Sequence, residues 1–206
     1  MAGAAGRSGG RSAGREACTA GRSGGREAHT AGRVAGREAA REVHPIEPVF
    51  DERSRVLLLG SFPSPKSREV GFYYAHPRNR MWRVLAVVCG CDGTVPETTG
   101  ERREFLLAHG IAMHDVASSC EVIGASDASI RDVEPADLSA IFATTRIEAV
   151  FATGSRAAEL YEKLQLPLVG VPATRLPSTS PANAAMSLDA LIEVYLSALG
   201  PYLAGD

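Results

Sequence analysis

The sequence predicts an α/β protein, a three-layer α/β/α sandwich built on a parallel sheet. Three observations point there. Short apolar runs, led by RVLLLG at 55–60, alternate with segments whose apolar residues recur at helical spacing. The runs lack apolar/polar alternation, so they suit strands covered on both faces, as parallel strands are. The first run ends at Gly60 with Pro63 and Pro65 beyond it, and the last runs into Pro177, which is loop chemistry that stops a strand.

In chain order, the strand at 55–60 is followed by candidates at 111–116, 147–153 and 174–176. Between them, 82–89 carries apolar positions at helical spacing. Thr98 and Glu101 fit a capping box opening a helix that Gly110 ends. Pro135 suits the first position of a helix carrying Leu138 and Ile141. Ser155 can cap a helix carrying Ala158, Tyr161 and Leu164. Leu188, Leu191, Ile192, Tyr195 and Leu199 form a closing amphipathic face. Such alternation implies βαβ units with right-handed crossovers. Ligands of such sheets bind at the loops beyond the carboxyl ends of the strands.

Residues 1–43 are different material. They hold ten of the 21 glycines, eight of the 22 basic residues and four of the 24 acidic ones, a net of +4; the remainder carries −6. With almost no large apolar residue, this Arg/Gly/Ala-rich segment is expected to be a disordered tail, leaving 44–206 as the folded domain. It has no apolar h-region for a signal peptide, and no run in the chain is long enough for a membrane span. A cytoplasmic protein is expected, with no membrane partner.

Several chemistries are excluded. The four cysteines form no CxxC pair, and His76, His109 and His114 lack metal-ligand spacing. No metal or other cofactor is therefore expected. No GxSxG elbow is present in 44–206, and Lys66, one of only two lysines, lies in a loop ill suited to Schiff-base chemistry. Gly60-Ser-Phe-Pro-Ser-Pro-Lys-Ser67 has the outline of a P-loop, but Pro65 stands where a glycine must precede the lysine. Proline has no N–H for a phosphate and cannot take φ > 0.

What remains points to nucleic acid. Two stiff loops of small hydroxyls flanked by prolines follow the first and last strands: Ser61 and Ser64 beside Lys66, and Ser178, Thr179 and Ser180 before Asn183. Hydroxyls and backbone amides are common phosphate contacts. Between them, GFYYAHPRNRMW at 71–82 holds four of the chain's 12 aromatics, and 66–83 carries a net +4 within an acidic domain. Aromatics that stack on bases, interleaved with arginines such as Arg78, are a footprint of nucleic-acid contact. Met81 and Trp82 are assigned to the core at a helix start.

The combination LLLGSFPSPKSREVGFYYAHPRNRMW and LPSTSPAN resembles the uracil-DNA glycosylase superfamily, most of all its hypoxanthine (deoxyinosine) DNA glycosylase branch. The likeness runs from about residue 49 to 202 and leaves out the tail. It implies a four-stranded parallel sheet in the sandwich and a monomeric, metal-free hydrolase acting on DNA that contains a deaminated base. Deoxyinosine is the expected lesion, with uracil and xanthine as further candidates. Mismatch-specific uracil glycosylases carry Gly-Ile-Asn-Pro-Gly at loop one, with the Asn positioning water; Phe62 stands there here and is expected to stack on the extruded base. The likeness makes Asn79 the catalytic candidate, its plain alternative being a helix cap. Tyr74 and His76 are placed with Phe62 in the base pocket. Thr153 stands where the branch carries a second Asn and is placed there too. The Ser178–Ser180 loop resembles the motif that pinches phosphates. The alternatives are a uracil or mismatch-uracil glycosylase, a non-catalytic binder of damaged DNA, and an α/β domain for a small nucleotide.

Overall fold

The computed structural model describes residues 40–91, 94–122 and 131–203. By internal contacts the chain divides into Met1–Gly36 and Arg37–Asp206, and the described residues all belong to the second unit.

The main sheet is four-stranded and wholly parallel. It consists of β2 (Val56–Gly60), β3 (Ile111–Asp115), β6 (Ala149–Thr153) and β7 (Ala173–Leu176), in the order β3-β2-β6-β7. The central strand β2 is buried along its whole length. Val56 and Leu58 join one core with Met81, Trp82, Leu85, Leu106, Leu191 and Tyr195. Leu57 and Leu59 join the other with Ile141, Leu160 and Tyr161. Alternate side chains of a strand point to opposite faces, so both helical layers are built from one unbroken apolar run. Helices α2 (Met81–Val88), α3 (Thr99–Ala108) and the closing helix Leu188–Leu203 cover one face; α4 (Ser139–Thr144) and α5 (Ser155–Leu160) cover the other. This is the expected α/β/α sandwich. The outer edge of β3 is closed by Val49, which exchanges backbone hydrogen bonds with Met113 at 3.0 and 2.8 Å.

The capping box of α3 forms as expected: Glu101 N–H donates to Thr98 Oγ1, and Thr98 N–H donates to Glu101 Oε2. Two helix starts differ from expectation. Pro135 does not open a helix; it ends β5 (Arg131–Pro135), paired with Ala117, and α4 begins at Ser139. β5 is an edge strand, where the missing N–H of proline costs no ladder bond. Ser155 is the first residue of α5 rather than its cap, a position taken by Gly154 at φ 102°. A Cβ on Gly154 would sit 3.3 Å from the Ser178 Cβ, and the positive φ disfavours one in any case.

A second sheet was not legible in the sequence. β1 (Ala40–Val43) pairs antiparallel with β4 (Ala117–Val122), which pairs with β5. The expected tail boundary after residue 43 therefore falls too late; residues 1–39 lie outside the described residues. His44 continues the ladder, its N–H donating to Ser118 O at 2.8 Å. Arg41 reaches Asp132, Glu134 and Ser119, but exposed pairs of this kind contribute little; the backbone ladder holds β1. A chain beginning at Arg37 is expected to melt like the full-length protein. A chain beginning at Pro45 is expected to melt roughly 4–8 °C lower, the equivalent of about 2 kcal/mol in a domain of this size. Thermal unfolding of the two truncations checks this.

From β2 the chain crosses to β3 on one side, through α1 (Pro65–Val70), α2 and α3; from β6 it crosses to β7 on the other, through α5. The crevice of such a sheet lies where the direction reverses, beyond the carboxyl ends of β2 and β6. Among the described residues, no helix is long and apolar enough to cross a membrane.

Candidate active site

A cleft of about 980 Å³ opens at that reversal point. Loop one, from Gly60 to Ser64, forms one wall, and the loop from Pro177 to Asn183 forms another. Both proline-flanked hydroxyl loops expected from the sequence are therefore brought together.

Loop one is fixed by its own hydroxyls. Ser64 caps α1, accepting from Ser67 N–H at 3.2 Å and donating to Ser67 Oγ at 3.1 Å. With that proton committed, Ser64 acts first as a helix cap. Phe62 lines the cleft and is 7% exposed. The Arg68 guanidinium lies 5.6 Å from its ring centroid, and His44 meets the ring edge-on at 5.8 Å. Ser61 lines the same wall.

Loop two is held from behind. The Arg80 guanidinium donates to the backbone carbonyls of Thr179 (3.4 Å), Ser180 (3.1 Å), Asn183 (2.9 Å) and Met186. Ser178 Oγ accepts from Ser180 N–H and Ser180 Oγ from Ala182 N–H, each at 3.2 Å. The Asn183 amide donates to Ser178 O at 2.9 Å. These turns use hydroxyl oxygens as acceptors and leave the hydroxyl protons of Ser178 and Ser180 on the cleft wall.

Asn79 joins the two halves. Its Oδ1 accepts from Met81 N–H and from the buried Thr179 hydroxyl, both at 2.9 Å. The amide oxygen is thereby saturated, and the Nδ2 hydrogens are its remaining polar resource. Arg80, not Asn79, takes the cap position of α2; Asn79 ties the helix start from one residue earlier, and this tie and the cleft role fall on different atoms of one side chain.

Tyr74 adopts φ 50°, which only a few per cent of non-glycine residues do. This turn places its hydroxyl 2.7 Å from Thr153 Oγ1, which also donates to Leu59 O at 3.2 Å. Tyr74 and Thr153 therefore meet in the cleft. Their neighbours in sequence do other work: Phe72, Tyr73, Met81 and Trp82 are core residues. His76 does not line the cleft, contrary to its expected place in the base pocket; its Nδ1 accepts from Arg78 N–H and closes a local turn. Lys66, paired with Glu69 at 2.6 Å, and Arg78, which is exposed, also lie outside the cleft wall.

Asp115 lines the same cleft, with His44 and His114 beside it. Asp115 ends β3 with its side chain 5% exposed, and its Oδ2 lies 2.9 Å from Nε2 of His44, itself 4% exposed. His44 Nδ1 accepts from Ile46 N–H, so Nε2 carries the proton and donates to Asp115. Gly60 makes room for this carboxylate: a Cβ there would lie 2.1 Å from Asp115 Oδ1 and 3.1 Å from the Tyr74 hydroxyl. His114 packs edge-on to His44 at 4.9 Å, and its Nδ1 lies 2.7 Å from the Tyr73 hydroxyl. Burial, aided by the neighbouring His44, pushes His114 down to about 4. At the rim, Arg175 adds an exposed cation whose guanidinium reaches Ser155 Oγ at 3.4 Å. Asp115 carried a sequence signal, a carboxylate ending a strand at the ligand edge. His44 carried none, because it borders the Arg/Gly segment and its partner is 71 residues away.

The model of the Uracil DNA glycosylase superfamily matches residues 47–199. Two relatives, each named hypoxanthine DNA glycosylase, come from Methanosarcina barkeri and Methanosarcina acetivorans. Each is 32% identical over 137 residues, covering 66% of this chain and 85% or 84% of the relative. A solution structure of a candidate uracil DNA glycosylase from Methanosarcina acetivorans superposes with a TM-score of 0.62 at 28% identity. That match covers 74% of this chain and 95% of the other. The matched span includes both hydroxyl loops, Asn79 and Asp115, and by that match the chain belongs to the uracil DNA glycosylase superfamily.

Proposed function

We propose that this protein is a DNA-deoxyinosine glycosylase, which hydrolyses the N-glycosidic bond of a hypoxanthine base turned out of the DNA helix and so initiates base excision repair. The observation that carries the reading is the placement of polar groups in the cleft. Loop one presents Phe62, which has no group to orient water, and the free amide hydrogens belong to Asn79 on the opposite wall. The relatives named hypoxanthine DNA glycosylase support the same lesion.

Extrusion of the base costs a few kcal/mol, least for a mispaired base, and this favours deaminated lesions. The cleft volume is within the range of sites that enclose a small ligand. Phe62 and Tyr74 wall the flat base, and Thr153 lies beside them. Asn79 Nδ2 donates to an acceptor on the departing purine and stabilises the charge that develops as the bond breaks. Ser61 and the loop Ser178, Thr179, Ser180 and Asn183 hold the flanking phosphates, with Ser64, Lys66, Arg78 and Arg175 as outer contacts. Such contacts position the strand without reading sequence. The cleft is complete within one chain, which supports action as a monomer, and the DNA substrate supports a place in the cytoplasm at the nucleoid.

Duplexes containing inosine, uracil or xanthine, incubated with the protein and then treated with alkali, test the reading. Strand breaks at inosine are expected. Breaks at uracil alone would make the protein a uracil glycosylase, and tight binding without breaks would make it a damage binder.

A further inference from the structure

We propose that Asp115 is a catalytic carboxylate of this cleft and that His44 is the positioning residue that aims it. The proposal rests on the deoxyinosine glycosylase reading and adds a group to it.

The sequence shows no pair of carboxylates, and base departure would otherwise be left to amides and hydroxyls. The fold supplies one carboxylate at the centre. Asp115 stands at the carboxyl end of β3, paired in register with Gly60 at the start of loop one. It lines the cleft although its side chain is 5% exposed. Burying a carboxylate is costly unless it is hydrogen-bonded. Asp115 is held by an imidazole, that of His44, rather than by a guanidinium or ammonium. Such a pairing holds the carboxylate in place without neutralising it through a fixed cation. The glycine at position 60 reinforces this, because any side chain there would strike Asp115 Oδ1.

A carboxylate so placed suits the chemistry of glycosidic hydrolysis, whose transition state puts positive charge on the sugar. In the step, the C1′–N9 bond breaks and its electron pair leaves with the purine. A water oxygen forms the new bond to C1′. The water proton passes to the Asp115 carboxylate and from there to the departing purine, so that hypoxanthine and an abasic sugar account for every atom of the nucleoside and the water. His44 keeps Oδ2 occupied through Nε2–H and turns Oδ1 towards Gly60 and the mouth of loop one.

The test uses the full-length chain and single-turnover excision from an inosine duplex, with melting temperature and duplex affinity measured alongside. Asp115→Asn keeps the size and the acceptor for His44 but removes the charge. It is expected to slow excision by about a hundredfold or more, within the range of general-base catalysis, while the dissociation constant changes less than about threefold. His44→Phe is expected to slow excision by about tenfold. His44→Gln, which keeps an N–H donor, is expected to restore most of that loss, a rescue that a role confined to packing would not give. An Asp115→Asn rate within about threefold of wild type overturns the proposal. So does a loss that only tracks a lower folded fraction in the melts, since the carboxylate is then structural. Failure of the wild-type protein to release hypoxanthine would instead overturn the underlying reading.

Discussion

Replacing Asn79 by Asp is expected to slow single-turnover excision of hypoxanthine by about a hundredfold and to leave the melting temperature within a few degrees of wild type. The structure separates two jobs that an alanine substitution would merge. Asn79 Oδ1 accepts from Met81 N–H at the start of α2 and from the Thr179 hydroxyl of loop two. An aspartate keeps both bonds, and its charge is favourable at a helix N-terminus. What it lacks is the pair of Nδ2 hydrogens. If those hydrogens meet the departing purine, the rate falls while the fold holds. Asn79→Ala should lose the same rate and in addition roughly 1–2 kcal/mol of stability from the lost hydrogen bonds to Met81 and Thr179. An Asn79→Asp protein that excises at the wild-type rate would reduce Asn79 to a tether between α2 and loop two.

Acidification from pH 6.5 to about 4.5 is expected to destabilise the protein through His114. Burial, with a smaller contribution from His44, holds the His114 imidazole down at about 4, with Asp115 opposing the shift. The unfolded residue takes its proton near 6.5. Between those values the unfolded state binds more protons, so stability rises with pH across the window and is lost as pH falls. The full effect of one such group is about 3 kcal/mol. Below that window, protonation of carboxylates held low in the fold, such as Glu101 and Asp51, adds to the loss. His114→Asn keeps a hydrogen-bonding partner for the Tyr73 hydroxyl and does not titrate. Its melting temperature is expected to be much flatter over the same interval, and equal slopes for the two proteins would remove His114 as the cause.

The parts of the fold written in short-range pattern were legible in the sequence. β2 was plain because both of its faces are covered, which demands an unbroken apolar run. The Thr98–Glu101 box was plain because its reciprocal bonds lie within one helical turn. β1 and β5 were not, since they are largely exposed and stabilised by ladders to distant chain; AREV at 40–43 is indistinguishable in composition from the Arg/Gly segment before it. Pro135 misled because a missing N–H is tolerated equally at a helix start and on an edge strand. In the site, the two hydroxyl loops announced themselves by composition and by following strands. Arg80 was counted only as one charge of a basic island, although its guanidinium is spent on three backbone carbonyls of loop two and on that of Met186 just beyond it. The pairing of His44 with Asp115 depends on how the small sheet docks, and no local spacing encodes that.

The tie between Arg80, Asn79 and loop two also bears on synthesis. The ribosome releases Phe62 and Asn79 early, but their partner Thr179 comes 100 residues after Asn79, and β2 waits for β6 before its second edge is paired. Until then the most apolar strand of the protein is exposed, a hazard typical of non-local sheets. A polypeptide released before Leu176 has the wall of loop one but no loop two opposite it, so interrupted translation is expected to yield fragments without a closed cleft rather than a poorly controlled enzyme that excises sound bases.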